Sequence, residues 1–281
     1  MPIGVALLVV ASAFVHAWWN ALLKRSREPE QAVIGISAFA ALTSSLVALA
    51  LFAPLPPAKA MFWVVLSGVL EAAYFVTLAK ALSRAPLGPV YTIVRGGALV
   101  LVWPVSILFL DERVTALRIA GTLLVALGLV STGVGERKSG TAVEARGIAL
   151  AALCACFTGG YHLAYKVALS TGAHPEIVTS VSLTVAALVN LVQIGSARRK
   201  QVLEATRAQP GHVIGGGVLA SLGFLAFLFA MQREGAGVVL TLRNTSILFA
   251  QLFAFMLGDR PKRLGLVGAL FVFAGAVLLA R

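Results

Sequence analysis

Arg95, Arg243 and Glu71 each interrupt a long apolar run: VYTIVRGGALVLV, GVVLTLRNTSILFA and VVLSGVLEAAYFV. A charge at the centre of a bilayer costs at least about 2.5–3.5 kcal/mol on insertion scales, so such residues default to a functional reading. Arg95 stands nine residues into its run, about 12 Å at ~1.5 Å per residue, near the middle of a ~30 Å hydrocarbon core. Arg243 stands equally deep in its own run. A guanidinium is a planar fork of donors that suits phosphate, phosphonate or carboxylate. Two of them converging on a cavity would hold an anionic group. The alternative is structural, with Arg95 bridged to Glu71 and Arg243 bonded to backbone carbonyls. Glu71 is also a candidate to exchange a coupling proton.

Two polar stripes accompany the charges. His16, Asn20 and Lys24 recur at i, i+4 and i+8, which is one helical face. Thr158, Tyr161, His162, Tyr165 and Lys166 form a second stripe with similar spacing. Such stripes either line a cavity or are satisfied by hydrogen bonds between helices; Lys24, near a helix end, is read as reaching to the interface. Tyr74 lies one turn from Glu71 and Tyr91 one turn from Arg95, both within reach of a ligand. Asn244 adjoins Arg243, and Trp103 and Gln251 lie two turns beyond the arginines. The candidate binding set is therefore completed by these residues together with Lys166. Trp18, Trp19 and Trp63 fit an interfacial aromatic belt.

No catalytic constellation accompanies them. The histidine pairs His16 with His162 and His174 with His212 lack metal-ligand spacing, and neither a nucleophile–base motif nor a glycine-rich phosphate loop is present. No metal, cofactor or enzymatic activity is expected. Cys154 and Cys156 sit in an apolar run and read as inert small hydrophobes.

The elements that must position these residues are membrane helices. Of 281 residues, 59% are hydrophobic and 12% charged, against roughly 25% charged in soluble domains. The net charge of +12 gathers in loops between apolar runs, which fits the positive-inside rule and not nucleic-acid binding. Ten spans of suitable length follow, at 3–23, 31–53, 61–82, 87–109, 115–133, 147–169, 175–194, 212–231, 236–256 and 262–280. The first is read as a retained helix, although Ala11-Ser12-Ala13 leaves a cleaved signal open. The linkers 134–146 and 195–211 are polar and basic.

An internal repeat organises the spans. VRGGALVLVWPVSILFLDE (94–112) aligns without gaps on LRNTSILFAQLFAFMLGDR (242–260), setting Arg95 on Arg243 and Asp111 on Asp259. WWNALLK (18–24) lies on GYHLAYK (160–166), setting Asn20 on His162 and Lys24 on Lys166. The expected fold is all-α, with residues 1–133 and 147–281 as two five-helix repeats joined by 134–146. Five spans per half make the repeats inverted, an arrangement of transporters.

The stretch YFVTLAKALSRAPLGPVYTIVRGGALVLVWPVSILFLDERVTALRIAGTLLVALGLV resembles the EamA-type repeat of the drug/metabolite transporter superfamily. Pro104 and Glu112 take that repeat's proline and acidic positions. The second half departs, with Leu252 in place of the proline and Asp259 one position early. The resemblance implies a transporter in the inner (plasma) membrane, acting on a small-molecule solute, as a monomer or weak homodimer, with protons as one candidate coupling ion. A flippase for a phosphate-bearing lipid carrier and an intramembrane transferase are the competing readings. Lys and Arg number fourteen in the loops after the odd-numbered spans and five on the other side. That bias puts both termini outside the cytoplasm, whereas relatives of this type are usually drawn with both inside.

Overall fold

The structure is a computed structural model that describes residues 1–82, 84–85, 87–137, 145–256 and 263–280. Among these residues the chain is helical, with no strand. The helices are α1 (Ile3–Lys24), α2 (Pro29–Ala50), α3 (Ala58–Leu82), α4 (Leu87–Phe109), α5 (Ala116–Arg137), α6 (Ala145–Ser170), α7 (Pro175–Gln193), α8 (Ser196–Ala208), α9 (Pro210–Arg233), α10 (Ala236–Arg243), α11 (Ser246–Met256) and α12 (Arg263–Ala280). Prolines open α2, α7 and α9, where the missing N–H falls on a group with no intrahelical partner.

Among the described residues, eight helical segments are long and apolar enough to cross a membrane, and two shorter apolar stretches, Ile93–Phe109 and Ala116–Ser131, lie within α4 and α5. Leu46, Leu49, Val100, Leu108 and Val192 stand exposed on the outer surface, the reverse of a water-soluble bundle and suited to lipid. The chain is a multi-pass membrane protein. The basic stretch expected to be a plain linker is instead largely a polar helix, α8, anchored by Val202, its one buried residue.

The helices pack as α1 on α9, α3 on α6, α2 on α7 and α9, α3 on α7, α4 on α6, and α5 on α12, while α1 also meets α10 and α11. The α5–α12 contact is backbone on backbone. A Cβ at Gly121 would lie 2.9 Å from the Gly275 carbonyl oxygen, and one at Gly128 would lie 2.6 Å from the Gly268 oxygen. Contacts advance along α5 as they retreat along α12, so the two helices run antiparallel. Lipid tails are as apolar as the side chains, so close packing of small residues is what drives such association.

Candidate functional site

His16 is the point where the two arginines meet. It is buried on α1, and Trp19, one turn on, turns inward at 1% exposure and packs edge-on against it. The Trp19 belongs to the interior and not to an interfacial belt, because its Nε1–H donates to His16 Nδ1 at 3.2 Å. Arg95 of α4 donates from Nη2 to His16 Nε2. Arg243, at the end of α10, approaches His16 Nδ1 through its own Nη2 at 3.4 Å. A neutral imidazole offers one acceptor nitrogen. His16 therefore satisfies Arg95 on one side, or Trp19 and Arg243 on the other, but not both. Three donors thus face an imidazole that accepts at one nitrogen at a time.

Unpaired polar atoms of both kinds, donors and acceptors, gather where the membrane helix breaks. Helix α10 stops at Arg243, and α11 restarts at Ser246 after a turn at Asn244 and Thr245. Arg243 Nε, both amide atoms of Asn244 and the Thr245 hydroxyl are buried there without a hydrogen-bond partner. Among the described residues no carboxylate pairs with Arg243. Its guanidinium lies over Phe227 and Phe224, 4.1 and 4.9 Å from the ring centroids, an arrangement that attracts a cation to the ring faces. His162 also packs on Phe227, at 5.0 Å. Its Nδ1–H donates to the Thr158 carbonyl at 2.6 Å, leaving Nε2 without a partner. Unpartnered buried polar atoms are rare in folded proteins, and each calls for a physical explanation.

Glu71 forms a third group. It is wholly buried, and its Oε2 accepts from the Tyr165 hydroxyl at 2.7 Å, which in turn lies 3.1 Å from Ser182 Oγ. No ion pair joins Glu71 to Arg95, so the structural bridge weighed from sequence is not formed. Its Oε1 has no partner. Tyr161 connects the parts, with its ring against Tyr74, His162, Tyr165 and Phe224. A small pocket lined by Tyr74, Leu78 and Val94 reaches Arg95.

The remaining candidates do other work. Lys166 donates from Nζ to the Met231 and Glu234 carbonyls, both at 2.8 Å, and so caps the C-terminus of α9. Gln251 donates to Gly265 O at 3.2 Å, tying α11 to α12. Trp103 donates to Thr241 Oγ1 at 3.0 Å, docking α4 on α10. Asn20 bonds the His16 carbonyl at 2.7 Å within its own helix. The side chains of Tyr91 and Lys24, and Asp259 altogether, lie outside the described residues. Phe224, Phe227 and Thr245 were not legible as site residues. An i, i+3 aromatic pair in an apolar span looks the same whether it packs or carries a guanidinium.

The described residues thus form a multi-pass helical bundle in which two arginines meet at one histidine. Residues 145–281 match the model of the EamA-like transporter family, which is consistent with a member of the drug/metabolite transporter superfamily. Members of the family are membrane transporters. One solved crystal structure superposes with a TM-score of 0.72, covering 98% of this chain and 97% of its own, at 16% identity; that likeness shows a shared fold alone. No curated protein matches the sequence.

Proposed function

We propose that this protein is a secondary transporter of the inner (plasma) membrane that moves a small polar organic metabolite bearing a carboxylate, phosphate or phosphonate. The anionic group sits between Arg95 and Arg243. The observation that carries this reading is the group of buried polar atoms without a hydrogen-bond partner around Arg243, namely its own Nε, both amide atoms of Asn244 and the Thr245 hydroxyl, beside the crowded His16. An oxyanion has several lone pairs and can accept from the unpartnered Arg243 Nε and Asn244 amide N–H groups.

Alternating access between two inverted five-span repeats follows from the repeat in the sequence. Gly121 and Gly128 recur 147 residues later as Gly268 and Gly275 (268 − 121 and 275 − 128). Under that shift the contacts Gly121–Gly275 and Gly128–Gly268 exchange with each other, as a two-fold axis in the membrane requires. The α1–α9 and α3–α6 contacts exchange in the same way. These relations support ten spans, with residues 1–133 and 147–281 as the repeats. A break in one span beside the binding group suits a site at the repeat interface. Proton coupling or solute exchange supplies the energy, with Glu71 as the proton candidate.

The test is uptake into proteoliposomes across a panel of phosphorylated, phosphonate, amino-acid and quaternary-amine solutes, preceded by thermal-shift screening. We expect an anionic solute to stabilise the protein and to be transported, and Arg95→Ala and Arg243→Ala each to abolish both effects. Unchanged binding in both variants removes the arginines from the site. Chemical change of a lipid without solute movement refutes transport.

A further inference from the structure

Helix α10 carries Arg243, yet it has only eight residues and no side-chain cap of its own; its N-cap is Gly235. The cap comes from the other half of the chain. Glu112 accepts from Gly237 N–H at Oε2 and from Val238 N–H at Oε1, both at 2.9 Å. Ser106 donates to the same Oε2. The carboxylate reaches this position because Asp111 takes a left-handed conformation (φ 51°), which aspartate tolerates. That turn ends α4 and brings the Glu112 N–H back to the Ser106 carbonyl at 3.2 Å.

Close packing reinforces the dock. A Cβ at Gly235 would lie 2.1 Å from Glu112 Cδ, and one at Gly237 would lie 2.7 Å from the Trp103 ring. Trp103 also bonds Thr241 further along α10. Just before α10, Glu234 pairs with Arg118 of α5 at 3.1 Å. Trp103 and Ser106 lie about two and three turns beyond Arg95 on α4, the helix that holds the other guanidinium.

We infer that Glu112 is a positioning residue: its carboxylate docks α10 on α4 and thereby sets Arg243 beside Arg95, as a latch between the two halves of the chain. Charge-assisted bonds to the unpaired first-turn N–H groups, at the positive end of the helix dipole, hold a helix too short to hold its own place. Moving the halves apart on this side requires the latch to open. Its significance for solute rests on the reading of Arg243 as the anion-binding group, but the latch itself is tested without solute.

The experiment uses the full chain with Cys154→Ser and Cys156→Ser and a single Val238→Cys reporter, reconstituted in liposomes and treated with a membrane-impermeant maleimide. With Glu112 present the reporter is buried and reacts slowly. Glu112→Ala is expected to raise its labelling rate roughly tenfold or more, since bonds to a charged group are worth at least that factor. Glu112→Gln, which keeps one carbonyl acceptor, falls between. Gly235→Ala leaves Glu112 in place but displaces its carboxylate, so it serves as a second opening variant if Glu112→Ala does not fold. A reporter at Ala186→Cys, buried in α7, should not change, which separates local release from general loosening. Wild-type labelling at 238 in both opening variants, or an equal rise at 186, overturns the latch. Loss of anion binding in Arg243→Ala bears only on the solute reading.

Discussion

Adding one methyl group at Gly128 should separate two helices. An ideal Cβ there lies 2.6 Å from the Gly268 carbonyl oxygen, 2.6 Å from Val272 Cγ2 and 2.9 Å from Val272 N. Two of these are backbone atoms that no rotamer change can move. Ordinary contact begins near 3.4 Å, so α5 and α12 must part by about 3.4 − 2.6 = 0.8 Å. A gap of ~0.5–1 Å forfeits a quarter to a half of each contact's dispersion energy, and overpacking costs about 1–3 kcal/mol. Against this, alanine gains about 1 kcal/mol in helix propensity. Gly128→Ala should therefore destabilise by up to about 2 kcal/mol net. Gly275→Ala meets the Gly121 oxygen at 2.6 Å and should cost the same. One separation relieves both, so the double variant should cost less than the sum. Gly215→Ala is the control, because nothing lies within 4 Å of its Cβ; it should be neutral or slightly stabilising. Unfolding by SDS titration at fixed lipid content reads all four. If Gly128→Ala proves as stable as Gly215→Ala, the claim of backbone contact between these helices is wrong.

Other expectations follow from the polar contacts. Lys166→Met removes two 2.8 Å bonds to the α9 C-terminus and should cost about 2 kcal/mol of stability; wild-type unfolding would return Lys166 to the solute-binding set. Tyr165→Phe leaves both oxygens of Glu71 without a donor and should cost about 1–3 kcal/mol. Combined with Glu71→Gln the effects should fall short of additive, whereas simple additivity in the same titration would mean the pair is not coupled. Arg95→Ala and Arg243→Ala should each abolish solute-induced thermal stabilisation, as set out above, and Glu112→Ala should expose the first turn of α10 to maleimide.

The sequence by itself determined the solvent. Hydropathy is a local property, so apolar runs announce membrane helices whatever they pack against, and the prolines at 175 and 210 mark helix starts for equally local reasons. Depth in a run singled out Arg95, Arg243 and Glu71, and the repeat paired the arginines. Polar composition did not reveal α8, because a surface helix needs little apolar content when one buried valine anchors it. Tertiary structure decided which atoms answer which. His16 meets Arg95 across 79 residues and Arg243 across 227, and helical spacing cannot say that a histidine on one span will stand between them. The same holds for Lys166, whose donors go to a helix end, and for Glu112, whose carboxylate caps a helix 125 residues away. In a lipid interior every donor needs an acceptor within about 3 Å. Which one it finds is fixed by how the helices pack, and that is decided only when all of them are in place.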